Sequence, residues 1–151
     1  MGDVVQRILD VLQADTPFLC ALATVTKDGR PSVRTMRATI EEDLSIRCPT
    51  FLGTSKVAEI RVRPEVHVTC GSTDSDRPGS YFRVAGRAAI STDPNDRRLA
   101  WNERLATWFS GPEDPNYAVI RIEPEQIECF PIGGGPPRQV WEAAPRASRD
   151  S

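Results

Sequence analysis

The sequence has only one histidine, His67, and its four cysteines form no close pair. Without a Cys/His cluster at metal-ligand spacing, we predict no metal site. A single histidine with no recognisable partner also gives little support to hydrolase chemistry of the Ser-His-Asp kind, so the catalytic residues stay unknown. Cys20, Cys70 and Cys129 lie in apolar, strand-like stretches, which favours buried free thiols in a reducing compartment.

The sequence also lacks an excess of one charge and any long apolar run. Its 151 residues carry a formal net charge of −2, so no strong field attracts nucleic acid or an anionic membrane. No apolar stretch approaches the roughly 20 residues that span a bilayer, and residues 1–10 do not have the pattern of a signal peptide. We therefore predict a cytoplasmic protein that binds neither nucleic acid nor membranes.

The hydrophobic pattern that is present predicts short strands interrupted by short helices. Asp28-Gly29 is the clearest hairpin turn, and Gly86 inside a long strand indicates a bulge or bend. Hairpin-linked strands with helices between them favour a closed antiparallel barrel with helices at its ends. The predicted strands are 18–26, 32–40, 44–48, 65–70, 81–92, 118–123 and 126–130, and the predicted helices are 4–12, 56–63 and one that starts at 93 and ends before Gly111.

The length of the chain fits one domain. We assign residues 1–132 to this domain and residues 133–151 to a flexible tail, because the tail has little to bury except Val140 and Trp141. The Gly/Pro-containing loop 71–80 is predicted to be mobile.

The segment Gly53-Thr54-Ser55-Lys56 places two hydroxyls and an ammonium at the start of a predicted helix. Helix N-terminal amides lack internal partners and lie at positive potential, so a phosphate fits there. The alternative is a Thr or Ser N-cap followed by a solvated lysine.

Two further features have both a functional and a structural interpretation. Arg34 in the middle of a predicted barrel strand needs a partner, and a phosphate suits its guanidinium fork; the alternative is a surface strand with arginines facing water. The aromatic residues Trp101, Trp108 and Phe109 at helical spacing are typical of core or dimer contacts, and otherwise of a cofactor stack.

Several motifs together, in order and spacing, resemble the FMN-binding split-barrel proteins related to pyridoxamine 5′-phosphate oxidase, especially the branch similar to general stress protein 26. The resemblance runs from about residue 18 to residue 130. It rests on Asp28-Gly29, Arg34-Thr35-Met36, Thr50 through Ser55-Lys56-Val57-Ala58-Glu59-Ile60, Pro64-Glu65-Val66, Val84-Ala85-Gly86-Arg87-Ala88, Trp101, the segment 108–115 and the segment 122–128.

The resemblance implies a mainly β protein, a six-stranded antiparallel split β-barrel with short flanking helices, that forms a homodimer with FMN in two clefts at the interface. Arg34 and Lys56 would hold the FMN phosphate, backbone groups of 33–36 would line the ring, and Trp108 of the partner subunit would cover it. The implied cofactor-binding residues are Val33, Arg34, Thr35, Met36, Thr50, Thr54, Ser55, Lys56 and Trp108.

The sequence departs from the family pattern in places. Arg47-Cys48 stands where this branch usually has a Trp-Phe pair, so we expect one wall of the pocket to differ. No C-terminal substrate-binding segment of a pyridoxamine 5′-phosphate oxidase is recognisable after Phe130. We predict an FMN-dependent oxidoreductase or flavin reductase acting on an unknown small substrate. The alternatives are a non-catalytic FMN-binding stress or sensor protein, or a relative that uses a deazaflavin or haem, for which His67 is the one candidate imidazole ligand.

Overall fold

The computed structural model describes residues 2–71, 80–131 and 136–145. Its helices are α1 (Gly2–Gln13), α2 (Ser55–Val62), α3 (Pro94–Ala100) and a 3₁₀ helix (Glu103–Thr107). Its strands are β1 (Phe18–Val25), β2 (Pro31–Ile40), β3 (Ile46–Phe51), β4 (Glu65–Gly71), β5 (Ser80–Ser91), β6 (Tyr117–Pro131) and β7 (Gln139–Glu142). None of the helices within these described ranges is long and apolar enough to cross a membrane.

Six of the strands form a closed antiparallel barrel. The order is β3-β2-β1-β4-β5-β6, and pairing of β3 with β6 closes it. This confirms the mainly β, six-stranded antiparallel barrel with short helices that the sequence predicts. The strands alternate buried and exposed positions, as β4 does from Glu65 to Cys70, so one face of each strand fills the interior.

The barrel is split between β2 and β3. β2 pairs with β1 from Phe18↔Ala38 to Val25↔Pro31, but it pairs with β3 only at Thr39↔Arg47 and Ile40↔Ile46. Beyond these two pairs the strands separate, because β3 turns to pair with β6 from Ile46↔Ile122 to Phe51↔Tyr117. Residues 33–37 of β2 therefore have a backbone edge that β3 does not cover.

The interior is apolar and holds all four cysteines. Ile8 and Leu12 of α1 pack into the same core as the inward-facing residues of β1, β4, β5 and β6. The thiols of Cys20, Cys48, Cys70 and Cys129 are free and buried. Burial raises the pKa of Cys129, so this thiol is a packing group rather than a nucleophile.

The prediction of a single helix after Asp93 is wrong, because the segment forms two short helices. Asp93 caps α3 by accepting a hydrogen bond from Asn95 N–H at 2.8 Å, but α3 ends at Ala100. Trp101 then adopts an extended backbone (φ −72°, ψ 139°), and Asn102 caps the 3₁₀ helix through its side chain. This second cap competes with helix continuation.

The two strands predicted at 118–123 and 126–130 are one strand, β6. The predicted turn at Pro124 is instead a bulge, because Ala85 pairs with Gln126 while Gly86 pairs with Pro124. A bulge tolerates a proline, which cannot donate to the ladder. The bulge expected at Gly86 is thereby confirmed.

The bounds of β3 and the structure of the predicted tail also differ from the prediction. β3 begins two residues later than predicted, since Leu44 lies in a turn with φ of 70°, and it extends to Phe51. Gln139–Glu142, inside the interval predicted as a tail, form β7 along the edge of β6. Residues 72–79 of the predicted mobile loop, and 132–135 and 146–151 of the tail region, lie outside the described residues, so the division at residue 132 stays a prediction.

Candidate functional site

A groove opens where β2 and β3 separate. Its volume is about 380 Å³, within the range of small-molecule sites. β2, β3, the first turn of α2 and the segment around the 3₁₀ helix supply its lining, which consists of Pro17, Thr35, Met36, Arg37, Pro49, Thr50, Phe51, Lys56, Asn102, Arg104, Leu105, Trp108 and Phe109.

Five of the nine predicted cofactor-binding residues line this groove: Thr35, Met36, Thr50, Lys56 and Trp108. The other four do not. Val33 is 65% exposed on the outer face of β2, Thr54 and Ser55 lie where α2 begins, and Arg34 is engaged by other side chains. The structure thus brings β2, β3 and α2 together at one site and leaves the roles of these residues as predictions.

The charge of the groove is positive. Arg37, Lys56 and Arg104 are its charged lining residues, and no carboxylate belongs to the described lining. An anionic group in the groove would therefore meet attraction without a competing like charge nearby.

Lys56 is the cation with the most distinctive surroundings. Burial, and after it the positive charge of Arg34, lower the pKa of Lys56 from its ordinary value of 10.5. Within the described part of the chain, no carboxylate or hydrogen-bond acceptor pairs with its ammonium. A partly buried ammonium without a counter-ion is a binding position for an anion.

The start of α2 is open to a ligand. Thr54 occupies the N-cap position with an extended backbone, but its side chain makes no capping hydrogen bond. Its hydroxyl instead donates to the carbonyl oxygen of Phe51 at 3.1 Å. The expected hydroxyl cap is therefore not formed, and the first N–H groups of α2 keep their capacity to bind an anion.

Arg34 lies behind this position and is already paired. Its Nη2 is 3.4 Å from Oε1 of Glu59, and its Nη1 donates to the Thr24 hydroxyl at 2.6 Å. The side chain therefore has a protein counter-ion, as a partly buried guanidinium requires. The sequence position of Arg34 did not predict this pairing with Glu59.

Aromatic side chains form the apolar part of the groove. Phe51 and Phe109 contact each other with ring centroids 4.6 Å apart and planes tilted by 39°. Trp108 is 60% exposed and lines the groove of its own chain. Because the helix predicted from residue 93 breaks, Trp101 packs instead against Tyr117, with centroids 5.6 Å apart.

Eight lining residues are not among the nine predicted cofactor-binding residues: Pro17, Arg37, Pro49, Phe51, Asn102, Arg104, Leu105 and Phe109. A signal for Asn102 existed, since Asn before a short polar helix is a typical N-cap, and its Oδ1 accepts from Arg104 N–H at 3.0 Å. Phe51 follows Thr50 at the end of a strand, and only the separation of β2 from β3 places it at the groove.

The wall expected to differ at Arg47-Cys48 is not a wall of the groove. Arg47 is buried beneath α3, where its Nε donates to Asp96 Oδ1 at 2.8 Å. Cys48 faces the barrel interior and is fully buried. Arg47 and Cys48 therefore belong to the packing around β3 and not to the described lining.

The groove can bind and orient, but its described lining contains no His, Asp, Glu, Cys or Ser. A histidine-based nucleophile pair of the Ser-His or Cys-His kind cannot be assembled from these described side chains.

A split antiparallel barrel with an electropositive, aromatic groove defines the general class of this protein, and sequence comparison identifies its family. The family model described as pyridoxamine 5′-phosphate oxidase matches residues 5–129. The chain belongs to this family, as its motifs predict.

Individual relatives agree with this assignment. The chain is 37% identical over 131 residues to general stress protein 26 of Bacillus subtilis, covering 87% of this chain and 91% of that protein. It is 29% identical over 142 residues to the pyridoxine/pyridoxamine 5′-phosphate oxidase of Rubrobacter xylanophilus, covering 76% and 65% respectively. The crystal structure of general stress protein 26 from Bacillus anthracis superposes with a TM-score of 0.77 at 27% identity, covering 93% of this chain and 98% of that one.

Proposed function

We propose that the groove binds FMN and that the protein is an FMN-dependent oxidoreductase or flavin reductase acting on a small substrate. The observation that carries the proposal is the separation of β2 from β3, which leaves a strand edge beside a groove with three cationic and three aromatic side chains. Membership of the pyridoxamine 5′-phosphate oxidase family supports it.

The phosphate end of the cofactor fits the start of α2. Lys56 supplies a positive charge with which no described residue pairs, and the first turn, which has no side-chain cap, supplies N–H donors. The Ser55 side chain is exposed beside them. We assign these groups to the phosphate, with Arg34 as the second cation.

The ring end fits the uncovered edge of β2. Alternate residues between Val33 and Arg37 offer backbone donors and acceptors along that edge, while Phe51 and Trp108 offer apolar surface. FMN supplies the redox chemistry when bound. The chain's own side chains bind it, orient it and keep water from one face.

We further propose a homodimer. Leu19 is 55% exposed and Val33 is 65% exposed, and both lie on the outer face of β1 and β2, where Ala23 pairs with Val33. Burying such a surface against a second copy removes apolar area from water. Light scattering tests this: we expect the mass of two chains for the wild type and of one chain for Leu19→Asp. A wild-type monomer that binds FMN tightly would exclude the dimer.

The purified protein provides the test of the cofactor. We expect a flavin absorption spectrum, release of a molecule with the mass of FMN on denaturation, and bleaching by NAD(P)H without oxygen. A released deazaflavin would replace FMN in the proposal. FMN that no common donor reduces would favour a non-catalytic sensor, and no uptake of FMN on titration would reject the proposal.

A further inference from the structure

Arg34 is held by a closed set of hydrogen bonds in addition to its ion pair. Nη1 is 3.3 Å from the carbonyl oxygens of both Leu22 and Ser32, and Nη2 donates to Ser32 Oγ at 3.1 Å. With Thr24 and Glu59, these acceptors surround the end of the guanidinium. The five donors of an arginine are thereby largely used within the protein.

Glu59 is fixed as firmly as Arg34. The Thr24 hydroxyl donates to Glu59 Oε1 at 2.7 Å while it accepts from Arg34 Nη1 at 2.6 Å. The side chain of Glu59 is only 14% exposed and that of Arg34 only 23% exposed. A carboxylate in this position is attracted by the same cation that an incoming phosphate needs.

The two cations near the start of α2 therefore differ in whether a protein carboxylate pairs with them. Lys56 has no protein counter-ion within the described residues, whereas Arg34 has Glu59 at 3.4 Å. Both Lys56 and Glu59 lie on α2, three residues apart, so one short helix carries a free cation and the anion that neutralises the other cation.

We propose that Glu59 is an internal counter-anion that sets the affinity of the site for the phosphate of its cofactor. Arg34 pairs with Glu59, and an incoming phosphate competes with this carboxylate for the guanidinium. Glu59 is thus a positioning residue that acts through Arg34. It weakens the binding of ligands that carry a phosphate and leaves the binding of the flavin ring unchanged. This inference rests on the proposed function.

The physical reason is competition for one cation. A phosphate at Arg34 must displace the carboxylate, which loses its attraction to the guanidinium. Glu59→Gln keeps the shape and a hydrogen-bond acceptor for Thr24, but removes the charge. The substitution therefore favours the phosphate without disturbing the ring site.

The test compares FMN with riboflavin, which lacks the phosphate. We expect Glu59→Gln to tighten FMN binding by roughly three- to tenfold, as for removal of a partly screened charge interaction, and to leave the Kd of riboflavin unchanged. Glu42→Gln, the same change at an exposed position on the β2–β3 turn, is the matched control and should alter neither Kd.

A second background tests whether Glu59 acts through Arg34. In Arg34→Gln protein, Glu59→Gln should change the ratio of the two Kd values by less than about twofold, because coupled residues show non-additive effects. A ratio that shifts as much as in the wild type would overturn the proposal, and so would equal changes for FMN and riboflavin in Glu59→Gln.

Thr24→Val keeps the proposal testable if Glu59→Gln does not fold. It removes the hydroxyl that joins Arg34 to Glu59 and should tighten FMN binding in the same direction but less. Weaker binding of FMN in Thr24→Val would contradict the inference. Failure of the wild type to bind either flavin is a different outcome, and it rejects the proposed function itself.

Discussion

The Nε atom of Arg47 lies 2.8 Å from Oδ1 of Asp96, and both side chains are almost completely buried. This ion pair joins β3 to α3, the helix that leads into the groove wall at Asn102. Asp96 Oδ2 also accepts from the Ser91 hydroxyl at 2.6 Å. The pair includes Arg47, one of the two residues at which the sequence was expected to depart from the family pattern.

Removing one partner of this pair should destabilise the fold. Asp96→Ala leaves the Arg47 charge buried without its closest counter-ion, and we expect a loss of about 3–5 kcal/mol in the free energy of unfolding. Urea denaturation followed by circular dichroism measures it. Arg47→Met combined with Asp96→Leu is the control and should cost much less. A loss below about 1 kcal/mol for Asp96→Ala would show that water, together with the Ser45 hydroxyl that accepts from Arg47 Nη1 at 2.8 Å, compensates for the lost carboxylate.

Asp96 also gives the stability a dependence on acid pH. Burial raises the pKa of Asp96, but hydrogen bonds from Ser91 and Arg47 and the charge of Arg47 outweigh it and keep the pKa below 3.8. A carboxyl with a depressed folded-state pKa stabilises the fold above its unfolded value, and this stabilisation is lost as pH falls through the folded value. Asp96→Asn removes this titrating group. We therefore expect the free energy of unfolding, measured by urea denaturation between pH 2 and pH 5, to fall less with decreasing pH in this variant than in the wild type.

Lys56 should determine the affinity for the phosphate of FMN. We expect Lys56→Ala to weaken FMN binding by about 1.5–3 kcal/mol, the value for a lost hydrogen bond to a charged group, with little effect on riboflavin. Fluorescence titration of the flavin measures both. Lys27→Ala, at the exposed β1–β2 turn, is the matched control. If Lys56→Ala weakened the binding of FMN and of riboflavin equally, Lys56 would not contact the phosphate.

The same lysine should make FMN binding sensitive to alkaline pH. Burial and the charge of Arg34 lower the pKa of Lys56 from its ordinary value of 10.5, so its ammonium loses its proton at a lower pH than an ordinary lysine does. FMN affinity should therefore fall as pH rises through that lowered pKa. A phosphate monoester is already fully charged there, since its second pKa is about 6. Lys56→Arg keeps the charge and should bind FMN without this alkaline fall. A fall of equal size in both proteins would assign the titration to another group.

The bulge at Gly86 should not accept a side chain. A Cβ at this position would lie 2.7 Å from the carbonyl oxygen of Glu123 and 3.1 Å from Cγ2 of Ile122. We expect Gly86→Ala to cost about 1–3 kcal/mol of stability, as for overpacking. Gly53→Ala is the control, because nothing lies within 4 Å of its Cβ position. Similar melting temperatures for wild type and Gly86→Ala would show that β6 can shift locally.

The sequence predicts most of the barrel because strand alternation and turn chemistry are local properties. Val66, Val68 and Cys70 alternate with polar residues, and Asp28-Gly29 ends a hairpin whose register is regular. The errors arise where two local signals compete. At Asn102 a cap interrupts an otherwise continuous helical pattern, and at Pro124 a bulge opposite Gly86 absorbs what resembles a turn.

The site was predictable only in part, for a different reason. Lys56 and Thr50 are recognisable from motifs that lie close together in sequence. The pairing of Arg34 with Glu59 joins β2 to α2 across 25 positions, and Phe51 reaches the groove only because β3 leaves β2 for β6. Such relations depend on how strands close around the core, which no short motif specifies.

The short strand β7 has a consequence for solubility. β6 gives one edge to β5, and its other edge is shared: residues 117–122 pair with β3, and Gln126, Ile127, Glu128 and Cys129 pair with β7. Without β7, this segment of β6 would present unpaired backbone groups along its edge. An exposed edge of that kind recruits strands from other molecules, so β7 covers a position at which chains would otherwise aggregate, while its Trp141 packs against the barrel core.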